Sequence, residues 1–290
     1  MKICILGASG MLGHMLFYEL QRMGFDVYGT VRSSSSMIPP LQRIVAGVDA
    51  TDFSSVLQAL DALSPDVVIN AIGLIRHLPE GRDPLCCIKI NAEFPHKLLE
   101  ACRKRNMRCI HYSTDCVFDG KLGRPYTEQD RPTASDIYGL TKFLGEIAGE
   151  GALTIRTSII GPELRGKHSL VEWFLAQQGS VKGYTKAIYT GLPTNEHATI
   201  LARHILPNPD IHGLYQVSAE PISKYDLLQL IAAVYGKKID IIPDDVVSED
   251  KRLSGAAFHT LTGYQAPSWE EMIPAMREAH LYVSTQNLKA

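Results

Sequence analysis

The sequence predicts an α/β fold: a doubly wound parallel sheet with a smaller α+β lobe toward the C terminus. Three observations predict it. Short apolar, β-branched runs alternate with helical patterns through the first half of the chain, a glycine-rich turn joins the first run to the first helix, and the alternation loses its regularity after Gly161-Pro162. Strands spaced by helices make right-handed βαβ units. Strands covered on both faces read as unbroken apolar runs, as Val67-Val68-Ile69 does.

The elements follow in order. The first strand is Lys2–Leu6. The first helix, Met11–Met23, carries Leu12, Leu16 and Leu20 on one face and stops at Gly24. Strands are expected at Asp26–Thr30 and Gln42–Val45, with Ser33–Ser36 as a surface loop between them. A helix over Phe53–Leu63 leads to strand Val67–Asn70, one over Pro84–Arg105 to strand Arg108–Ser113, and one over Ile137–Gly149 to strand Leu153–Thr157. Later helices are expected at Ser169–Gln177, His197–Leu206, Ser223–Tyr235 and Ser268–His280, with strand-like residues at Tyr184–Gly191 and Lys238–Ile242. The turn-rich stretch from Pro207 to Gly213 marks a boundary. Residues 1–162 and approximately 181–206 are therefore expected to form the cofactor domain, and approximately 163–180 and 207–290 the substrate lobe.

Composition excludes several function classes. Twenty-nine basic residues against 31 acidic leave a net charge of −2, so no nucleic acid and no anionic membrane is expected as a partner. The opening MKICILGASG is too short for a signal-peptide core and no run reaches a membrane span, so a cytoplasmic location is expected. The six cysteines lack any C-x-x-C pair, which favours free thiols. The ten histidines are scattered without H-E-x-x-H, so no metal site is expected.

Gly7, Gly10 and Gly13 form G-x-x-G-x-x-G between the first strand and the first helix. The first glycine permits a tight turn, the second lets backbone approach a pyrophosphate, and the third lets the helix lie close to the sheet. The helix start, with Met11 and Leu12, then offers free N–H groups and a positive dipole end to the phosphates. This is a Rossmann-type dinucleotide turn. The second strand ends Thr30-Val31-Arg32-Ser33, without the acidic residue that accepts a ribose 2′-hydroxyl. Arg32 and Ser33 suit a 2′-phosphate instead, so NADPH is expected, with NADH as the alternative. Asp49 and Ala50, after the third strand, are placed at the adenine edge. The helix cap near Phe53 falls to Thr51 or Asp52.

The chemistry centres on Tyr138 and Lys142, a Y-x-x-x-K pair on one face of a helix. A phenol is a weak acid, and a nearby ammonium stabilises its anion. Tyr138 is thus expected to protonate a carbonyl oxygen while Lys142 lowers its pKa and binds ribose. Chance alone produces such a pair often. Its position, after the glycine turn and before the sixth strand, is what singles it out. A hydroxyl at the end of the fifth strand can donate to the same oxygen. Ser113 and Thr114 are adjacent on a strand and point opposite ways, so only one faces the site.

These motifs resemble a known family. Ser113-Thr114-Asp115-x-Val117-Phe118-Asp119-Gly120, Pro125-Tyr126-x-Glu128, Tyr138-Gly139-x-x-Lys142 and Arg156-Thr157-Ser158 are similar to those of the dTDP-4-dehydrorhamnose reductases, extended short-chain dehydrogenase/reductases. Gly191-x-Pro193-Thr194 and Gly213-x-Tyr215 continue the likeness. The resemblance implies that Thr114 is the carbonyl-contacting hydroxyl. It also implies that Asn70, Ala71, Ile72, Gly73 and Tyr112 line the cofactor, and that Asp115, Cys116, Thr194 and Arg252 lie by the substrate. Arg165, Lys167, Lys182 and Lys186 fall where such reductases bind a nucleotide diphosphate. The implied activity is NADPH-dependent reduction at C4 of a nucleotide-linked 4-keto-6-deoxy hexose for deoxysugar or cell-surface polysaccharide biosynthesis.

Cys116 and Ile159 replace aromatic residues that would face the sugar, which points to a relative acting on a different sugar, such as a UDP-linked 2-acetamido-2,6-dideoxy-4-keto hexose. Two other readings share the fold: a nucleotide-sugar epimerase or dehydratase, and a non-catalytic dinucleotide-binding regulatory subunit. A nucleotide sugar is the expected partner. The oligomeric state is open, with a homodimer as one expectation.

Overall fold

The computed structural model describes residues 1–36, 38–76 and 79–288. Its strands are β1 Lys2–Leu6, β2 Asp26–Val31, β3 Ile44–Ala46, β4 Val67–Asn70, β5 Arg108–Thr114, β6 Ala152–Thr157, β7 Ile159–Ile160, β8 Ser180–Tyr189, β9 Leu192–Pro193, β10 Gly213–Gln216, β11 Ile222–Ser223 and β12 Asp240–Asp250. The helices are α1 Met11–Arg22, α2 Phe53–Leu63, α3 Pro84–Cys87, α4 Phe94–Arg103, α5 Ile137–Leu144, α6 Leu170–Ala176, α7 Thr194–Ile200, α8 Lys224–Tyr235, α9 Ala256–Thr262 and α10 Trp269–Leu288.

Seven parallel strands form the central sheet in the order β10-β6-β5-β4-β1-β2-β3. Alternate side chains of each strand serve opposite faces. Ile3 and Ile5 join α1 and α7 in one apolar layer, while Cys4 and Leu6 join α2 and α4 in the other. All six cysteines are free thiols, and Cys4, Cys102 and Cys109 pack as small apolar groups in the second layer. The strand order reverses beside β1, where chain leaves toward β2 on one side and β4 on the other. A crevice opens at such a switch point, at the carboxyl ends of the strands.

Several elements differ from the sequence expectation, and three of them bear on the cleft. The first is α1, which was expected to show a single apolar face but is buried from Leu12 through Leu20. It lies between the sheet and helices α7 and α10, so no side of it faces water. The second is the expected helix Pro84–Arg105, which breaks into α3, a π-helical turn at Ile88–Glu93, and α4. Pro95 has no N–H to return to Asn91, and the chain takes a wider turn there, with Phe94 N–H donating to the Lys89 carbonyl. The third is α5, which ends at Leu144; its C-cap, Gly145, lies against the Asn91 carbonyl with no room for a side chain.

The path of the chain also departs from the expected domain division. Strand β8, within the segment expected in the cofactor domain, instead forms a small sheet with β11 and β12, covered by α8. Strand β10, expected in the substrate lobe, pairs with β6 and extends the central sheet. Its four residues have no strand-like signal beyond Leu214 and Tyr215, so only the long-range pairing defines it. No helix among the described residues is long and apolar enough to cross a membrane.

Candidate active site

A cleft of about 530 Å³ opens over the carboxyl ends of β1, β4, β5 and β6. The glycine turn forms its floor. Gly7 takes a left-handed φ of +83° and returns its carbonyl to the Gly10 N–H at 3.0 Å. A methyl group at Gly13 would drive into that same Gly7 carbonyl, so only glycine lets α1 start this close to the strand. Gly10 is the N-cap residue and brings no side chain to the first N–H groups of α1. Gly10, Met11 and Leu12 line the cleft, as do Asn70, Ala71, Ile72 and Gly73 beyond β4.

Arg32 and Ser33 lie exposed just past β2, outside the cleft wall. Backbone bonds from Ala8 to Thr30 (2.9 Å) and from Val48 to Val31 (3.1 Å) hold the glycine turn, the end of β2 and the Asp49-Ala50 segment at one edge. Asp49 turns its carboxylate to the N–H and hydroxyl of Thr51, both at 2.8 Å. Asp52 caps α2 through Ser54 N–H.

Tyr138 stands in the first turn of α5, whose N-terminus is held by Asp136 accepting from the N–H groups of Tyr138 (3.1 Å) and Gly139 (3.2 Å). Gly139 faces the Cys116 carbonyl so closely that a side chain there would force α5 off the turn after β5. This contact brings Thr114 and Tyr138 together. Thr114 lies beside the Tyr138 phenol, where its hydroxyl donates to Asp115 at 3.1 Å and accepts from Cys116 N–H at 3.1 Å. Ser113 points the other way and donates to Glu146 at 2.7 Å, within the buried Glu146–Arg156 ion pair. Of the two adjacent hydroxyls, Thr114 therefore faces Tyr138.

Lys142 is buried, and its ammonium donates to the Tyr112 carbonyl at 2.6 Å. Burial pulls its pKa down to about 8 against the attraction of Glu146. Tyr138 does not follow the expectation of a lowered pKa in the protein alone. Burial pushes its phenol above the ordinary value, and Cys116 and Asp115 add to this. The Thr114 hydroxyl and the Arg76 charge oppose it. Below Lys142, His111 is held neutral by burial and by that ammonium. It accepts at Nδ1 from Asn70, whose side-chain oxygen is already bound to Ile72 N–H at 3.1 Å.

Asp115 and Cys116 line the cleft beside Thr114. Two expected substrate residues do not reach it. Thr194 is fully buried at the start of α7, pressed against Gly161. Arg252 is held by both oxygens of Asp250 at 2.7 Å and lines a separate cavity with Pro125, Ser218 and His259. Lys182 and Lys186 pair with Asp244 and Asp245, whereas Arg165 lines the cleft and donates to the Ser35 carbonyl. Arg76, Glu163 and His168 also line the cleft and were not anticipated. No motif flags them, because they lie on irregular segments and only the fold turns them inward.

The residues fit a dinucleotide. The Tyr112 hydroxyl is buried at the cleft wall with no hydrogen-bond partner among the described residues, as expected of a group awaiting a ligand. The uncapped start of α1 suits phosphates, and Arg32 with Ser33 suits a 2′-phosphate. A carbonyl oxygen placed between Tyr138 and Thr114 would receive two hydrogen bonds, one from a group able to give up its proton.

Residues 1–280 match the family described as the RmlD substrate binding domain. The chain is 28% identical over 256 residues to the probable low-salt glycan biosynthesis reductase Agl14 of Haloferax volcanii, covering 84% of each chain. It is 35% identical over 145 residues to the dTDP-4-dehydrorhamnose reductase of Streptomyces griseus, a match that spans 50% of this chain and 43% of that one. In fold it is similar to a dTDP-4-dehydrorhamnose reductase from Bacillus anthracis solved in complex with NADP, at a TM-score of 0.78 and 19% identity, over 96% of this chain and 98% of that one. With the family matched over nearly its whole length, the chain belongs to the RmlD substrate-binding-domain family, the reductase relatives that its Thr114, Tyr138 and Lys142 motifs resemble.

Proposed function

We propose that the protein is an NADPH-dependent reductase of a nucleotide-linked 4-keto-6-deoxy hexose, acting in the cytoplasm in deoxysugar or cell-surface polysaccharide biosynthesis. One observation carries the reading: Thr114, Tyr138 and Lys142 gather in the cleft that starts at the uncapped end of α1. The relatives named as sugar reductases support it. NADPH, when bound, supplies the hydride. Tyr138 gives its proton to the C4 oxygen, and Thr114 holds that oxygen by a second hydrogen bond. Lys142, anchored on the Tyr112 carbonyl, would hold the nicotinamide ribose, and its charge favours loss of the Tyr138 proton. Arg32 and Ser33 favour the 2′-phosphate.

A panel of dTDP-, UDP- and GDP-linked 4-keto-6-deoxy sugars tests the reading, with and without a C2 acetamido group. NADPH loss is followed and the product identified by NMR. Stoichiometric NADPH consumption with formation of the C4 alcohol is expected for at least one sugar. Tightly retained NAD⁺ with epimerised or dehydrated product, or no turnover across the panel, would overturn it.

A further inference from the structure

Arg76 lies on the segment after β4 and reaches over the active-site tyrosine. Its guanidinium carbon is 5.7 Å from the centre of the Tyr138 ring, its Nη2 is 3.2 Å from the Cys116 sulfur, and its Nε is 4.0 Å from Asp136. None of these is a full-strength partner. A thiol is a weak acceptor, and burial keeps Cys116 protonated by pushing its pKa up to about 11. The Asp136 oxygen nearest Arg76, Oδ1, already accepts from two N–H groups of α5 and stands 4.0 Å away.

Other arginines of this chain are satisfied differently. Arg156, Arg252, Arg124 and Arg105 each have a carboxylate oxygen at 2.7 Å. Arg76 is instead an always-charged, planar donor set, about half exposed, facing the cleft beside the proton donor. Such a group is completed by an acceptor on the ligand. The cleft wall at this point is Cys116, a small side chain, so an oxygen substituent on a sugar held against Tyr138 has room to meet the guanidinium.

We propose that Arg76 is a substrate-binding residue that selects the sugar by donating hydrogen bonds to an oxygen-bearing ring substituent, the C2 acetamido carbonyl or the C3 hydroxyl, and so holds the keto carbon against Tyr138. This rests on the reductase reading above. It assigns Arg76 to the sugar and not to the nucleotide diphosphate, because its contacts are the Tyr138 ring and Cys116 beside the proton donor, whereas Arg165, on a segment expected to hold the nucleotide diphosphate, is a separate residue of the cleft lining.

The test is calorimetric and needs no turnover. Y138F loaded with NADP⁺ is titrated with dTDP-4-keto-6-deoxyglucose and with a UDP-2-acetamido-2,6-dideoxy-4-keto hexose, and dTDP and UDP serve as sugar-free controls. Adding Arg76→Gln is expected to weaken the better-bound nucleotide sugar by about tenfold or more. The sugar-free nucleotide should change less than about twofold, and Arg76→Lys should recover part of the loss. In kinetics, with Tyr138 intact, Arg76→Gln alone should raise KM more than it lowers kcat. An analogue lacking the C2 or the C3 oxygen should lose affinity in the parent and lose no more in R76Q.

Equal weakening of the sugar-free nucleotide would give Arg76 to the diphosphate and overturn the proposal. Unchanged affinity in R76Q, or undiminished sensitivity to both missing oxygens, would also overturn it. If neither sugar binds the parent complex, the reductase reading falls and this one with it. A failure confined to R76Q removes only the role of Arg76.

Discussion

Tyr138 is the residue on which the proposed chemistry turns, and its surroundings say how far it can be changed. Its ring rests beneath Arg76 and its hydroxyl meets Thr114, while its backbone N–H is held by Asp136. Phenylalanine keeps the ring and the helix cap and removes only the proton. Tyr138→Phe is expected to lower kcat by about a hundredfold or more, the range for loss of a general acid. NADPH affinity, measured by fluorescence titration, should change little, and retained turnover would refute the assignment. Arg32 offers a second residue-scale expectation. A guanidinium bound to a phosphate contributes about 1.5–3 kcal/mol. Arg32→Gln should therefore cut the ratio of kcat/KM for NADPH over NADH by about tenfold or more. An unchanged ratio would place the 2′-phosphate elsewhere.

At the scale of elements, sequence and structure agree best where a local rule decides the outcome. The strand Val67–Asn70 and the helix Phe53–Leu63 are bounded in the structure as their patterns predict. Both carry dense apolar signals, and the helix begins after an Asp52 cap. The glycine turn and the Y-x-x-x-K pair were legible for the same reason: each needs particular residue types at fixed spacing. What escaped reading depends on distant partners. The π-turn at Ile88–Glu93 exists because Pro95 withholds an N–H, and it places Asn91 facing the segment after β4. Asn91 accepts from Leu74 N–H at 2.8 Å and donates to the Leu74 carbonyl at 3.0 Å, so one side chain pins the backbone that leads to Arg76. Nothing in the local sequence marks it. Asn91→Ala leaves two backbone groups without this partner and should cost about 2–3 kcal/mol. For a chain of this length that is a fall in Tm of roughly 5 °C. The KM for the nucleotide sugar should also rise, because the Arg76 segment is released. A stability loss with unchanged KM would separate the clamp from the site.

Across the whole molecule, the layered fold places ionisable groups where water cannot reach, and this sets its response to acid. His14 at the start of α1, His111 on β5 and His197 on α7 are all buried. Burial lowers His14 to about 4 and His197 to about 3, and it also holds His111 well below its ordinary value. The sign follows directly. In the unfolded chain these rings bind protons below about pH 6.5, whereas the folded protein refuses them until the pH is far lower. The unfolded state thus holds more protons between about pH 4 and 6.5, and stability falls as the pH drops through that window. Each proton is worth about 1.4 kcal/mol per pH unit. The carboxyls of Glu19 and Asp115 work in the opposite sense, since burial raises both and the folded state keeps their protons longer. At pH 5.5 unfolding should therefore take up between about one and three protons per chain. Urea midpoints at pH 7 and pH 5.5, with proton uptake measured by calorimetry in buffers of different ionisation enthalpy, check this. Equal midpoints and no uptake would mean that the three rings are not held neutral. His14 also hydrogen-bonds through Nδ1 to the Gly10 carbonyl at 2.8 Å, at the cofactor turn, a bond that favours the charged ring and partly offsets the effect of burial. NADPH bound there should stabilise the folded state by mass action at either pH, lifting both midpoints while leaving their difference in place.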